Sequence, residues 1–301
     1  NISGSLTSAD DEQPLLLDLN GNFGRLNIKG NGTFSDLVNL EIVDINVQAD
    51  SPNLGRLLSL FGIDQVRDAP FHLDIDAARN GSNVVVRKAE MLFGGATFDL
   101  AATMPTFPTF DDSRISLQIE GPDLERIRYL TGLPGMASGA FMVNANVDTS
   151  PDGANLLQVN LETSLGVVEA LGTLTDTPGH IGSQLDFKVS GDDLALLGNV
   201  YGLQRLPGKA FEITGSAVLE DGRLRITKPV AGKVDGLAVT IGGHLTFAQG
   251  LEGSDFDVNI VAPDVAALVG AFGPSTGIPN LPIDVKSKVQ VREDGFRFRD
   301  T

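Results

Sequence analysis

The stretch GPDLERIRYLTG, residues 121–132, recurs in altered form as SPNLGRLLSLFG at 51–62, GDDLALLGNVYG at 191–202 and APDVAALVGAFG at 262–273. The leading apolar residues are Leu54, Leu124, Leu194 and Val265, so the steps are 70, 70 and 71. The closing glycines Gly62, Gly132, Gly202 and Gly273 step by the same 70, 70 and 71. Two positions in lockstep mark an internal repeat, the pattern of an array whose neighbouring units bury one another's faces.

Each copy reads as a short helix. Pro52, Pro122 and Pro263 suit a first helical position, where the missing N–H costs nothing. Asn53, Asp123 and Asp264 follow in or beside the first turn, where the helix dipole favours negative charge, and Asp192-Asp193 stand there in the third copy. Apolar residues recur at helical spacing (Leu54, Leu57, Leu58 and Phe61; Val265, Leu268, Val269 and Phe272), and the glycine ends the element.

Between these helices the chain reads as strands. RISLQIE (114–120), QLDFKVS (184–190) and DFDVNIV (255–261) alternate cleanly and occupy the same place in successive units. A second set follows each helix: FHLDIDA from Phe71, FMVNANV from Phe141, FEITGSA from Phe211 and IDVKSKV from Ile283. Asn80-Gly81, Asp152-Gly153, Asp221-Gly222 and Asp294-Gly295 are hairpin signals flanked by alternating runs. Further strands are expected at 96–103, 165–175 and 237–247. The expected fold is therefore mostly β. It is an elongated, curled antiparallel sheet forming a half-open groove, built from repeats of about 70 residues, each with about five strands and one short helix. The repeats are expected at 51–120, 121–190 and 191–261, in one continuous array. Residues 1–50 supply the final strands of a truncated repeat, and 262–301 the start of another.

Composition narrows the partners. At 42% hydrophobic, the 301 residues suffice for a sizeable buried core. A net charge of −17 disfavours nucleic acid, which needs a basic face, and resists adsorption to anionic membrane surfaces. There is no cysteine, hence no disulfide framework and no thiolate metal site. No stretch has the roughly 18 to 20 consecutive apolar residues of a membrane span. His72, His180 and His244 are far apart and lack metal-ligand spacing. No nucleophile elbow, phosphate loop or dinucleotide fingerprint occurs. The expectation is a protein that is not an enzyme and uses no cofactor and no metal.

Strict alternation leaves one sheet face that avoids water. Five strands spaced at about 4.8 Å, each about seven residues long, present on the order of 550 Å² per unit. A ten-residue helix covers only about 150 Å². The excess either closes on itself as a sandwich or barrel, lies in a membrane, or forms a trough filled by something else. Alternation alone leaves these open, although the lack of Trp and the mere two Tyr speak against a membrane barrel with aromatic girdles.

The phrase GPDL…L…GLP at 121–134, the F-x-V/I strand after it and the DGRLRI turn at 221–226 resemble the AsmA-like family of Gram-negative envelopes, the group that includes TamB and YhdP. The resemblance runs along the whole chain as a repeated pattern. It implies a repeating β-groove bridge in the periplasm, anchored in the inner membrane by a segment outside this sequence and engaged in outer-membrane biogenesis. Its expected function is lipid transport, conducting phospholipid acyl chains between the inner and outer membranes. The groove is expected to be lined by Ile115, Leu117, Ile119, Phe141, Val143, Leu185, Phe187, Val189, Phe211, Ile213, Phe256, Val258 and Ile260, with Gln118, Lys188 and Asn259 facing water. The alternative is a structural spacer with a self-filled β core, or a scaffold that assembles outer-membrane proteins by offering strand edges. An adhesin-like surface array is a third reading.

Overall fold

Eighteen strands, paired antiparallel with their sequence neighbours within each of two units, account for most of the described backbone in the computed structural model. The structure describes residues 2–7, 14–35, 42–53, 55, 69–124, 138–200, 206–246, 252–263, 265, 269, 281–292 and 295–299. The protein is mostly β and falls into two compact units, Asn1–Asp152 and Gly153–Thr301. The division lies inside the 121–190 repeat, at the Asp152-Gly153 turn, and does not follow a repeat boundary.

Unit 1 holds β1 (Ile2–Thr7), β2 (Leu15–Phe23), β3 (Leu26–Phe34), β4 (Ile42–Ser51), β5 (Phe71–Asn80), β6 (Asn83–Phe93), β7 (Ala96–Met104), β8 (Arg114–Gly121) and β9 (Phe141–Asp148). They pair in sequence from β1 to β9. Unit 2 holds β10 (Ala154–Thr163), β11 (Gly166–Thr175), β12 (Gln184–Gly191), the helix α1 (Leu194–Val200), β13 (Phe211–Glu220), β14 (Arg223–Val234), β15 (Leu237–Thr246), β16 (Asp255–Ala262), β17 (Ile283–Arg292) and β18 (Gly295–Arg299). These too pair in sequence, from β10 to β18. Each unit is an open sheet; among the described residues its first and last strands do not pair with each other.

The strands start and stop where alternation and turn residues said they would. Gly81 and Gly222 take positive φ (60° and 68°) at the tips of the β5–β6 and β13–β14 hairpins, which is why the Asn-Gly and Asp-Gly signals read true. The Asp294-Gly295 turn falls partly outside the described residues. Each 70-residue step carries four described strands, where spacing suggested about five. The strands are longer than the assumed seven residues, reaching 8 in β9 and 12 in β14. Four strands of about ten residues present on the order of 650 Å² per face, so the mismatch with a short helix grows.

One row of contacts recurs at the helix end of the strands. Ser51 stands opposite Phe71, Gly121 opposite Phe141, Gly191 opposite Phe211 and Ala262 opposite Ile283. The small residue is needed because the ring lies on it: a Cβ at Gly121 or Gly191 would stand 2.8 Å from the facing Phe ring. The helix start is pinned to the same place. The amide of Leu124 donates to Gly139 O (2.9 Å), that of Leu194 to Lys209 O (3.0 Å) and that of Val265 to Leu281 O (2.8 Å), in each case two residues before the next strand. In the third copy Asp193 caps α1, its Oδ1 accepting the amides of Ala195 (2.9 Å) and Leu196 (3.2 Å). The bodies of the other three expected helices lie outside the described residues.

Candidate functional site: an apolar sheet face

Register fixes which side chains share a face, because successive residues of a strand point to opposite sides. In unit 1, Leu19, Gly30, Val47, Ile75, Ala89, Leu100, Leu117 and Ala145 form one row of direct partners from β2 to β9. The neighbouring row on the other face reads Asn20, Lys29, Gln48, Asp74, Glu90, Asp99, Gln118 and Asn144. Unit 2 repeats the contrast, with Leu161, Val168, Val189, Ile213, Gly232, Val239, Ile260 and Val285 in one apolar row.

Burial shows what covers these faces. A side chain under a second protein layer is almost wholly buried, whereas one flanked only by neighbours in its own sheet keeps its outer end in solvent. The side chains of the unit 1 row are half-buried, and those of the unit 2 row are half-buried or exposed. Full burial is concentrated at the helix end, where Phe71 and Phe93 pack with Leu26 and Ala49 in one cluster, and Ala96 packs with Leu124 and Phe141 in another.

The expected groove residues sort accordingly. Ile115, Leu117 and Ile119 stand directly opposite Val147, Ala145 and Val143 on the apolar face of unit 1, and all are half-buried. In unit 2, Leu185, Phe187 and Val189 face Ala217, Gly215 and Ile213. Leu185 is 36% exposed and the Phe187 ring lies across Gly215, where a Cβ would meet it at 2.9 Å. Phe256, Val258 and Ile260 are half-buried opposite Val289, Ser287 and Val285. Phe141 and Phe211 differ from the others in burial. They share the apolar face, but each is only 5% exposed, because its ring occupies the glycine niche at the helix end. They belong to the core and offer no surface to a guest. Of the expected water-facing residues, Gln118 is exposed, while Lys188 and Asn259 are half-buried on the polar face.

The polar faces are laced by ion pairs. Arg87 bridges Asp44 (2.5 Å) and Asp76, and Lys88 reaches Glu90 at 3.0 Å. Lys188 pairs with Glu212 at 2.9 Å and Lys288 with Asp257 at 3.2 Å. The Arg87 hydrogen bond holds the Asp76 carboxyl below its ordinary range, and Lys188 does the same to Glu212. His72 lies on this side, 2.6 Å from Asp50. Among the described residues no group of three or more His, Cys, Asp or Glu side chains is placed to hold a metal ion. Among them, too, no helix is long and apolar enough to cross a membrane.

Two features, one repeated and one single, escaped the reading by apolar pattern. Ser113, Ser183 and Ser254 step by 70 and 71 and are buried at the loop end of the strands (0%, 7% and 1% exposed). Their period was legible, but a polar residue carries no weight in a hydrophobic alternation. Arg79 was legible by parity, since it continues the series Phe71, Leu73, Ile75, Ala77 onto the apolar face.

Compared with known proteins, the chain matches no family model, no curated protein and no solved structure.

Proposed function

We propose that the apolar faces carry the hydrocarbon of lipids, and that the protein is a bridge-like lipid transporter of the AsmA-like kind. In this reading it works in the periplasm, as part of a protein anchored in the inner membrane, and conducts phospholipid acyl chains between the inner and outer membranes. The observation that carries the reading is the row of uncharged, mostly apolar residues that crosses strand after strand in each unit, its side chains left half-exposed. Each methylene moved from water onto such a surface gains about 0.8 kcal/mol. The rows repeat in kind from strand to strand, so neighbouring positions hold a chain with near-equal energy and it can slide. The ion-paired polar faces stay in water. The chemistry is burial, with no bond made or broken.

A photo-crosslinking residue at Phe187 and another at Lys188, on opposite faces of β12, test this. Lipid adducts are expected at Phe187 and not at Lys188. Adducts at both positions, or at neither, overturn the proposal; the latter result favours the spacer or assembly scaffold with a self-filled core.

A further inference from the structure

The apolar faces of the two units are almost free of charge. Among the described strand residues that register places on them, one is ionisable: Arg79, near the end of β5. Its partners across the sheet are Val43 on β4 and Val84 on β6, and Ala77 and Ile75 continue inward along its own strand.

The guanidinium is held in place. Its Nε–H donates to Gly81 O at 2.8 Å, within the hairpin tip that follows. That tip is braced from outside: Ser82 Oγ donates to Pro105 O (2.9 Å), and the Phe107 amide donates to Ser82 O (3.0 Å). The Nη nitrogens make no ion pair among the described residues, in contrast to Arg87 on the polar face, which is clamped by Asp44 and Asp76. Arg79 is half-buried, its stem lying among valines and its fork at the margin of the sheet. A hairpin cap alone needs only the Nε donor. The remaining donors form a planar fork suited to two anionic oxygens, at the place where an apolar surface ends and water begins.

We propose that Arg79 receives the anionic group of an amphiphile whose hydrocarbon lies along the Ala77 and Ile75 rows of unit 1. The ligand class is a carboxylate or phosphate headgroup on an alkyl chain. The proposal rests on the lipid-carrying reading above and adds a headgroup requirement to it.

The test measures binding of laurate, dodecyl phosphate and dodecanol to the full chain by isothermal titration below their micellar concentrations. The two anions are expected to bind about tenfold more tightly than the alcohol, the equivalent of about 1.4 kcal/mol. Arg79→Gln should bring the anions down to the alcohol's affinity while leaving dodecanol unchanged. Arg79→Lys, which keeps the charge and loses the fork, should retain part of the difference. A thermal unfolding midpoint within a degree or two of the parent's confirms that each variant is folded. A preference for dodecyl phosphate over laurate assigns the site to phosphate, and the reverse assigns it to fatty acid. Equal affinity of all three for the parent protein overturns the headgroup site and leaves the hydrocarbon reading standing. Failure of all three to bind overturns both.

Discussion

The connection from β7 to β8 and that from β11 to β12 do the same job with different residues. In the second, Ser183 Oγ accepts the Thr175 amide at 3.0 Å, and the loop after β15 repeats the bond between Ser254 Oγ and the Thr246 amide at 2.9 Å. Seventy residues before Thr175 stands Pro105, which has no N–H, and Ser113 Oγ is buried without a hydrogen-bond partner among the described residues. The threonine hydroxyl survives the change. Thr175 Oγ1 donates to Ile181 O at 2.9 Å, and Thr106 Oγ1, one place along in a loop one residue longer, donates to Asp111 O at 2.6 Å. The residue before each serine has positive φ: Gly182 (94°), Gly253 (83°) and, in the first loop, Asp112 (54°). Repeats therefore conserve the bonds that close a loop and let the residues drift, and the 105–113 loop has drifted to a costlier set.

The largest expected difference lies in the serines. Ser183→Ala and Ser254→Ala each strand a backbone amide and should cost about 1–3 kcal/mol in urea unfolding, whereas Ser113→Ala removes an orphan and should be neutral or stabilising. Equal losses at all three positions would erase the comparison. A double-mutant cycle sharpens it: Pro105→Thr should show a coupling of about 1 kcal/mol with Ser113, because the restored N–H has an acceptor only when the serine is present.

Next come the left-handed positions. Gly182→Ala should destabilise by about 1–2 kcal/mol, the cost of placing a Cβ in that conformation. Asp112→Gly should stabilise by less than about 1 kcal/mol, since aspartate tolerates the region better than most. Thermal unfolding midpoints moving in opposite directions are the expected readout.

The smallest effect is electrostatic. Where the first repeat has Ser116, the next has Asp186, whose carboxyl is held below its ordinary range by the Ser216 hydroxyl and then by Lys228. A depressed folded value means the contribution is complete above the unfolded pKa of about 3.9 and is lost as pH falls through the lower folded value. Carboxyl NMR titration should place the Asp186 midpoint below that of a model aspartate, and Ser216→Ala should move it back up. The exposed site makes any stability change slight.

Most of this architecture could be read from the chain. Strand ends were legible because apolar alternation and Asn-Gly or Asp-Gly turns report the same boundary twice. The face assignment was legible because a period of two has only two solutions. Position along a strand was not: Phe141 and Phe211 have the right parity, yet they sit in the row that Gly121 and Gly191 open for their rings. Alternation carries no information about which end of a strand is capped. Strand number was not legible, four described strands per step against about five expected, because spacing fixes the sum of strand and turn lengths and not their split. Arg79 broke the apolar series at one place, and a reading built on the majority of positions passed over it.

Pairing strictly with the next strand in line has a consequence for how such a chain is made and altered. Within a unit each described strand finds its ladder partner in its neighbour along the chain, so structure can accrete hairpin by hairpin as the polypeptide emerges from the ribosome. Gaining or losing a whole 70-residue module leaves every remaining ladder with its own neighbour, so reach can be adjusted by gene duplication without redesign of a single interface.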